Sequence, residues 1–324
     1  MRLLKNSFDK KIDAKGLALF RILYSFILLW EIVNFAYFEE LVFADIPFIK
    51  DGEVDMSIAI NIWGVSVFLV MIGAYTRFAT IINYILTVTL LATLNTYEYH
   101  VHLVYLGVNF LMMFSPVSTC FSIDRLRLKL KHSNKYYKFQ PPTTVSQLHH
   151  WIYLLIAVGF VYFDSIFNKY DSYAWSNGLG IWIPASIPMF TNIDITFLLN
   201  NKYIMLFLGY LTVAFETVFI FLFYFKKFRI PIFLIGVGLH IGITLAFPIP
   251  LFGLCYVAIY LLLIPVSFWK KIFKKRKPDY SLTFNFNPNN FIALKWSIIL
   301  AHLDWFSQIQ FKHNPSQKNY SSSY

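Results

Sequence analysis

The chain has 324 residues, of which 57% are hydrophobic, 20% aromatic and only 14% charged, with a formal net charge of +11. Such a chain is too apolar for an ordinary soluble domain and too long for a single anchor, so it reads as a polytopic membrane protein. Its basic residues come in short blocks between apolar runs, the pattern of cytoplasmic loops, which argues against a nucleic-acid partner.

Met1 to Lys15 is basic but lacks the short apolar core and small-residue cleavage site of a secretory signal, so the first apolar run is expected to insert and remain. A helical span needs about 20 mostly apolar residues. Eight runs come near that length, at roughly 16–37, 56–76, 78–97, 101–120, 148–168, 203–225, 229–247 and 251–269. The expected fold class is all-α, a polytopic integral membrane bundle of about eight transmembrane helices. The fourth run has a polar start, and the seventh is short and holds Gly236, Gly238, His240 and Gly242. Either is a candidate for a helix that is broken or buried within the bundle.

Charge fixes the expected orientation. With both termini cytoplasmic, the inner segments receive Arg2, Lys5, Lys10, Lys11, Lys15, Arg77, Arg125, Arg127, Lys129, Lys131, Lys135 and Lys138. They also receive Lys226, Lys227, Arg229, Lys270, Lys271, Lys274, Lys275, Arg276 and Lys277. That is 21 basic residues inside against three outside, Lys50, Lys169 and Lys202, the arrangement expected in a plasma membrane. The organisation expected is a basic cytoplasmic N-terminus over 1–15, a transmembrane domain over 16–270, and a cytoplasmic tail over 271–324 that is partly disordered. Within the tail, Ile292 to Phe311 suits an amphipathic surface helix.

Two loops stand out. Asp171 to Lys202, expected outside, carries Trp175, Gly178, Gly180, Trp182, Pro184 and Pro188, a composition suited to short interfacial segments or a lid. Ser122 to Gln147 is basic and expected to face anionic membrane lipid. Cys120 and Cys255 lie on runs of opposite expected depth and form no disulfide framework. The internal repeat of many transporters is missing.

Ionisable groups at membrane depth tend to be retained for pairing or for function. Counting along the runs puts Glu31, Glu98, His102, Asp164 and Lys169 in the outer half, His240 near the midplane, Glu216 nearer the cytoplasm and Arg21 nearer still. Arg21 is expected to snorkel to phosphates; Glu216 and His240 are expected to bond between neighbouring helices. His149 and His150 suit the interface better than a metal. Single histidines on separate runs make haem ligation by His102 and His240 a weak alternative, and no metal site is expected. Lys169 has two readings: an interfacial lysine paired with Asp171 or Asp164, or an amine that accepts a proton from a substrate.

Several local patterns, in order, resemble the HTTM family, the membrane domain shared with vitamin K-dependent gamma-carboxylase. They are the opening helix Gly16-Leu17-Ala18-Leu19-Phe20-Arg21-Ile22-Leu23, His102 with Tyr105 and Gly107, Pro116 followed by Ser122-Ile123-Asp124, and Lys169-Tyr170-Asp171 with Trp175-x-x-Gly178. Glu216 and His240 match an acidic residue and a histidine of later spans. The resemblance covers roughly residues 14 to 270. It implies that Lys169 is the base that deprotonates reduced vitamin K, a naphthoquinol, with His102 or the nearby His100 in the same site. The chain departs from the carboxylase in having only a short tail where that enzyme has a large extra-membrane domain, which makes protein carboxylation doubtful. Other bacterial members resemble accessory proteins for maturing or handling an exported peptide, so a non-catalytic role in maturation or immunity is the alternative.

Overall fold

The structure, a computed structural model, describes residues 10–43, 55–94, 100–133 and 139–272. Glu98 and the tail segment 292–311 lie outside the described residues. One compact unit comprises Met1–Arg125 with Pro142–Lys277. A second comprises Leu126–Pro141 with Pro278–Tyr324. In its described part, His132 Nδ1 lies 3.1 Å from the Leu128 carbonyl oxygen and the Phe139 amide donates to Ser133 Oγ at 3.0 Å.

The first unit is mostly helical, and each of the eight apolar runs contains a helix. These are α1 (Lys15–Tyr37), α3 (Ser57–Ile72), α4 (Thr76–Ala92), α5 (His100–Phe114), α7 (Leu148–Asp171), α11 (Lys202–Leu222), α12 (Arg229–Ala246) and α13 (Pro250–Tyr260). Shorter helices are α2 (Glu39–Phe43), α6 (Ile123–His132), α8 (Tyr173–Ser176), α9 (Trp182–Ala185), α10 (Thr196–Leu199) and α14 (Val266–Ile272). By length and composition α1, α7, α11 and α12 can each cross a membrane. The other four are shorter than their apolar runs. Gly73, at φ +67°, closes α3, a left-handed cap that suits glycine, and α5 stops just before Ser115-Pro116.

Amphipathicity is inverted, as lipid demands. On α4 the apolar Phe78, Ile81, Ile85 and Val88 are exposed while Thr80, Asn83 and Thr87 are buried. In water that arrangement would unfold; against hydrocarbon it exposes apolar atoms and lets polar groups pair between helices. Asn83 Oδ1 accepts from Trp63 Nε1 at 2.8 Å, Thr87 Oγ1 accepts from Asn109 Nδ2 at 2.8 Å, and Asn109 Oδ1 accepts from Tyr24 Oη at 3.0 Å. This chain of bonds ties α3, α4, α5 and α1.

The all-helical expectation needs one amendment. Strand β1 (Lys11–Asp13) pairs antiparallel with β2 (Thr144–Ser146), Ile12 opposite Val145, and so joins the approach to α1 to the approach to α7. Three residues are too few for any alternation to show in sequence. Irregularity also falls elsewhere than expected: α12 runs unbroken through its glycines, whereas α7 contains a π-helical stretch, Leu154–Phe160.

One end of the bundle gathers β1, β2, the α3–α4 turn, the start of α6 and the α11–α12 turn. Arg229 lies 5.3 Å from the Trp151 ring centroid, and a Cβ on Gly16 would meet Trp269 Nε1 at 3.0 Å and His150 Nε2 at 3.3 Å. His150 is thus buried among helices rather than spread on a surface. Asp124 accepts the amides of Tyr75 and Thr76, both at 2.8 Å, so its carboxylate caps the exposed N–H groups opening α4.

Arg21 belongs to the same end and corrects the snorkelling expectation. It is 0% exposed, and its guanidinium donates to the carbonyls of Val117 (2.9 Å), Cys120 (3.5 Å) and Phe121. The turn after α5 leaves carbonyls without helical partners, and a five-donor fork satisfies several of them at once. Both cysteines are free and buried.

Candidate functional site

Four residues of α7 share one face: Tyr162, Ser165, Ile166 and Lys169, spaced three, four and seven apart. Lys169 Nζ forms an ion pair with Glu216 Oε2 of α11 and donates to Ser165 Oγ at 2.8 Å. The Trp175 ring centroid lies 5.0 Å from the ammonium, within cation–π reach. The pair is largely removed from solvent, with side-chain exposures of 15% for Lys169 and 11% for Glu216. Asp164 and Asp171, the partners expected for Lys169 from its neighbourhood in sequence, are both exposed and take no part.

The bond to Ser165 shows the lysine pointing back one turn along its helix, the usual direction for long helical side chains. That reconciles two depth estimates that put Lys169 and Glu216 in different halves. The ammonium sits about 6 Å below its own Cα level, and Glu216 lies well past the midpoint of α11, toward its Leu222 end. The charges therefore meet well inside the helical layer, not at its mouth.

Two turns back along α7 from Lys169, Tyr162 Oη lies 3.2 Å from His240 Nε2 and hydrogen-bonds Tyr260 Oη. His240 Nδ1 is 2.9 Å from the Gly236 carbonyl, which can only accept, so Nδ1 carries the proton. In a neutral imidazole Nε2 is then the acceptor, Tyr162 the donor to it, and Tyr260 the donor to Tyr162. Phe215, Phe219 and Tyr256 pack around Tyr162 at centroid distances of 5.9, 5.4 and 5.5 Å. With both nitrogens of His240 engaged, it has no lone pair to give a haem iron. Among the described residues no group of three or more His, Cys, Asp or Glu could hold a metal ion.

His102 is placed differently. It is buried on α5 with its ring 6.1 Å from Phe35 and 6.3 Å from Tyr105. The partners of Lys169 among the described residues are Ser165, Glu216 and Trp175. His102 is therefore not in contact with the lysine. Tyr162, Tyr260 and Ser165 were absent from the sequence expectations. Their signal was available for Tyr162 and Ser165, which stand seven and four residues before Lys169 on a helix, but Tyr260 is brought in only by the packing of α13.

The Trp175-x-x-Gly178 pattern acquires a structural meaning. The Gly178 amide donates to the Trp175 carbonyl at 3.1 Å, closing a turn that presents the indole to Lys169. Gly178 has φ +73°, and a Cβ there would meet Leu206 Cδ2 at 2.9 Å and Tyr210 Cε2 at 3.0 Å. Gly178→Ala is expected to cost about 1–2 kcal/mol from the left-handed backbone alone. Thermal unfolding in detergent should show the loss, with Gly242→Ala, inside α12 with nothing within 4 Å, not lowering the midpoint.

A family model, the HTTM domain, matches the chain over residues 9–269. The chain belongs to the HTTM domain family. It is accordingly a membrane protein of that family, and the family match takes in Arg21, His102, Lys169, Trp175, Gly178, Glu216 and His240 alike. No curated protein and no solved structure matched the chain.

Proposed function

We propose that this HTTM protein is a multi-pass protein of the plasma membrane with eight spans and both termini cytoplasmic. In this reading it acts on a quinol, with the Lys169–Glu216 pair as proton acceptor. Two observations support the topology: consecutive apolar helices return to the end that holds β1 and Arg21, and the described basic residues Lys10, Lys11, Lys15, Arg77, Arg125, Lys226, Lys227 and Arg229 belong to the segments of that end. Residues 16–270 then form the membrane domain and 271–324 a cytoplasmic tail.

The observation that carries the chemical reading is the ion pair itself. Written as ammonium and carboxylate or as amine and carboxylic acid, the pair holds one proton fewer than its full complement. In a low-dielectric site these two forms approach each other in energy. Either form takes one proton and ends as ammonium beside carboxylic acid, so Lys169 works as a base only together with Glu216. The donor set fits a naphthoquinol, since a base and polar hydroxyl partners lie among aromatic rings. Reduced naphthoquinone, when bound, supplies an acidic ring hydroxyl. Lys169 and Glu216 would receive that proton, Trp175 would hold the ammonium in place, and the exposed Phe163, Phe167 and Tyr170 of α7 would flank an isoprenoid tail. His102 then serves as a polar residue packed on Phe35 and Tyr105 rather than a bonded partner of the base.

The test supplies purified protein in lipid with reduced naphthoquinone and oxygen and follows quinol consumption. Lys169→Ala and Glu216→Gln should each lower the rate about 10²–10⁴-fold, the range for loss of a general base. Unchanged turnover in both variants, or none in the wild type, overturns the reading.

A second reading has its own observation. The segment 172–201 presents large exposed apolar side chains, among them Tyr173, Met189 and Phe197, a surface suited to an exported peptide. A non-catalytic accessory role in maturation or immunity would follow. Normal peptide processing in cells lacking the gene would remove it.

A further inference from the structure

The segment 172–201 joins α7 to α11, and its position along α11 can be measured. Gly178 is packed so closely on Gly209 that a Cβ on Gly209 would strike the Gly178 carbonyl. Tyr210 Oη donates to the Ser176 carbonyl at 3.4 Å. Gly209 and Tyr210 lie seven and eight residues in from Lys202, the first residue of α11, so the contact is about 11–12 Å along the helix from its end. Farther on, the Asn192 amide and Nδ2 donate to the carbonyls of Ala246 and Phe247, both at 2.8 Å, at the end of α12. The chain thus leaves α7 deep, rises along α11, and reaches the helix ends near Asn192.

Composition follows that path. From Ser172 to Ile193 there is no Asp, Glu, Lys or Arg, between the exposed Asp171 at the end of α7 and Asp194 and Lys202 on the other side. Tyr173 and Met189 are each 79% exposed, a cost in water and a gain in hydrocarbon. These side chains continue the exposed apolar surface of α11, where Tyr203, Phe207 and Tyr210 also face outward. Irregular backbone survives at such depth only if its polar groups are bonded internally. Many of them are: the amides of Ser176, Asn177, Gly178, Leu179 and Ile183 donate to the carbonyls of Ser172, Tyr173, Trp175, Ala174 and Leu179 at 2.7–3.2 Å.

We infer that residues 172–193 form a re-entrant cap immersed in the bilayer leaflet on the Lys202 side, with acyl chains as the partner of its exposed side chains. It is not a lid standing in water. Through Trp175 the cap closes over the Lys169–Glu216 pair, so the pair is screened from the aqueous phase on that side and the lipid phase lies next to it. The inference holds whether or not the protein acts on a quinol.

Nitroxide labels on single cysteines test it in the full chain reconstituted in bilayers, with unmodified protein as the background for the buried Cys120 and Cys255. Labels at Tyr173→Cys and Met189→Cys replace exposed side chains, so folding is little disturbed. Phe207→Cys is the lipid-facing control and Asp194→Cys the aqueous one. Dissolved oxygen should relax the label at Tyr173 more than a water-soluble nickel chelate does, at a ratio matching Phe207, with Met189 between Tyr173 and Asp194. Chelate accessibility at Tyr173 equal to that at Asp194 overturns the inference. Because the readout is depth, its failure is independent of any failure of quinol turnover.

Discussion

Lys169→Met and Glu216→Leu are each expected to destabilise the protein by about 3–5 kcal/mol, and the double variant to recover most of that loss. The reasoning is electrostatic. Removing one member leaves the other charge in a site with side-chain exposures of only 15% and 11%, where water cannot replace the lost partner. Removing both leaves an apolar contact between α7 and α11 of similar volume. Denaturation by SDS in mixed micelles measures all four corners of the cycle. Single losses below about 1 kcal/mol would instead describe a screened surface pair. The double variant also separates structure from chemistry, since it should be stable yet lack proton-accepting capacity.

Much of the scaffold could be read from the chain because a span announces itself by a long apolar run. All eight runs contain a helix, although four of the helices are shorter than the length criterion suggests. Glycine-rich α12 was a candidate for a broken or buried helix, and it runs unbroken: Gly238 and Gly242 face open space, while a Cβ on Gly236 would meet the ring of Tyr260. The π-helical turn of α7 left no signal, because one extra residue in a run of Leu, Ile, Ala and Val changes neither length nor composition. It matters nonetheless, because it precedes Tyr162, and an inserted residue rotates every later side chain by about 100° relative to the start of the helix.

The site was legible as residues but not as contacts. Lys169, Glu216 and His240 stood out as ionisable groups at membrane depth, which is a property of single positions. Their pairing is a property of helix order and rotation. Neighbourhood in sequence favoured Asp164 and Asp171 for Lys169, yet the partner lies 47 residues away on α11. For His102 the resemblance implied a place in the same site as the base; α5 packs its ring on Phe35 and Tyr105, a contact that no spacing in the chain announces.

Arg21→Met is expected to cost about 3 kcal/mol or more, with Arg21→Lys recovering less than half. Hydrogen bonds to a charged donor contribute about 1.5–3 kcal/mol each, and a buried carbonyl left unpaired costs about 1–3 kcal/mol. Arg21 reaches the carbonyls of Val117, Cys120 and Phe121 from one planar group; an ammonium is a point donor on a flexible stem and cannot span them together. Those carbonyls belong to the turn that leads into Ser122 and Asp124, and Asp124 in turn caps α4 while its amide donates to Gly73 at 2.8 Å. Losing Arg21 should therefore loosen the turn as a unit and free the half-buried Arg125, whose guanidinium now donates to the carbonyls of Thr119 and Pro142, and trypsin should cut after Arg125 faster than in the wild type. A lysine that restored both the unfolding midpoint and protection from trypsin would instead assign Arg21 to lipid phosphates, for which an ammonium serves as well as a guanidinium.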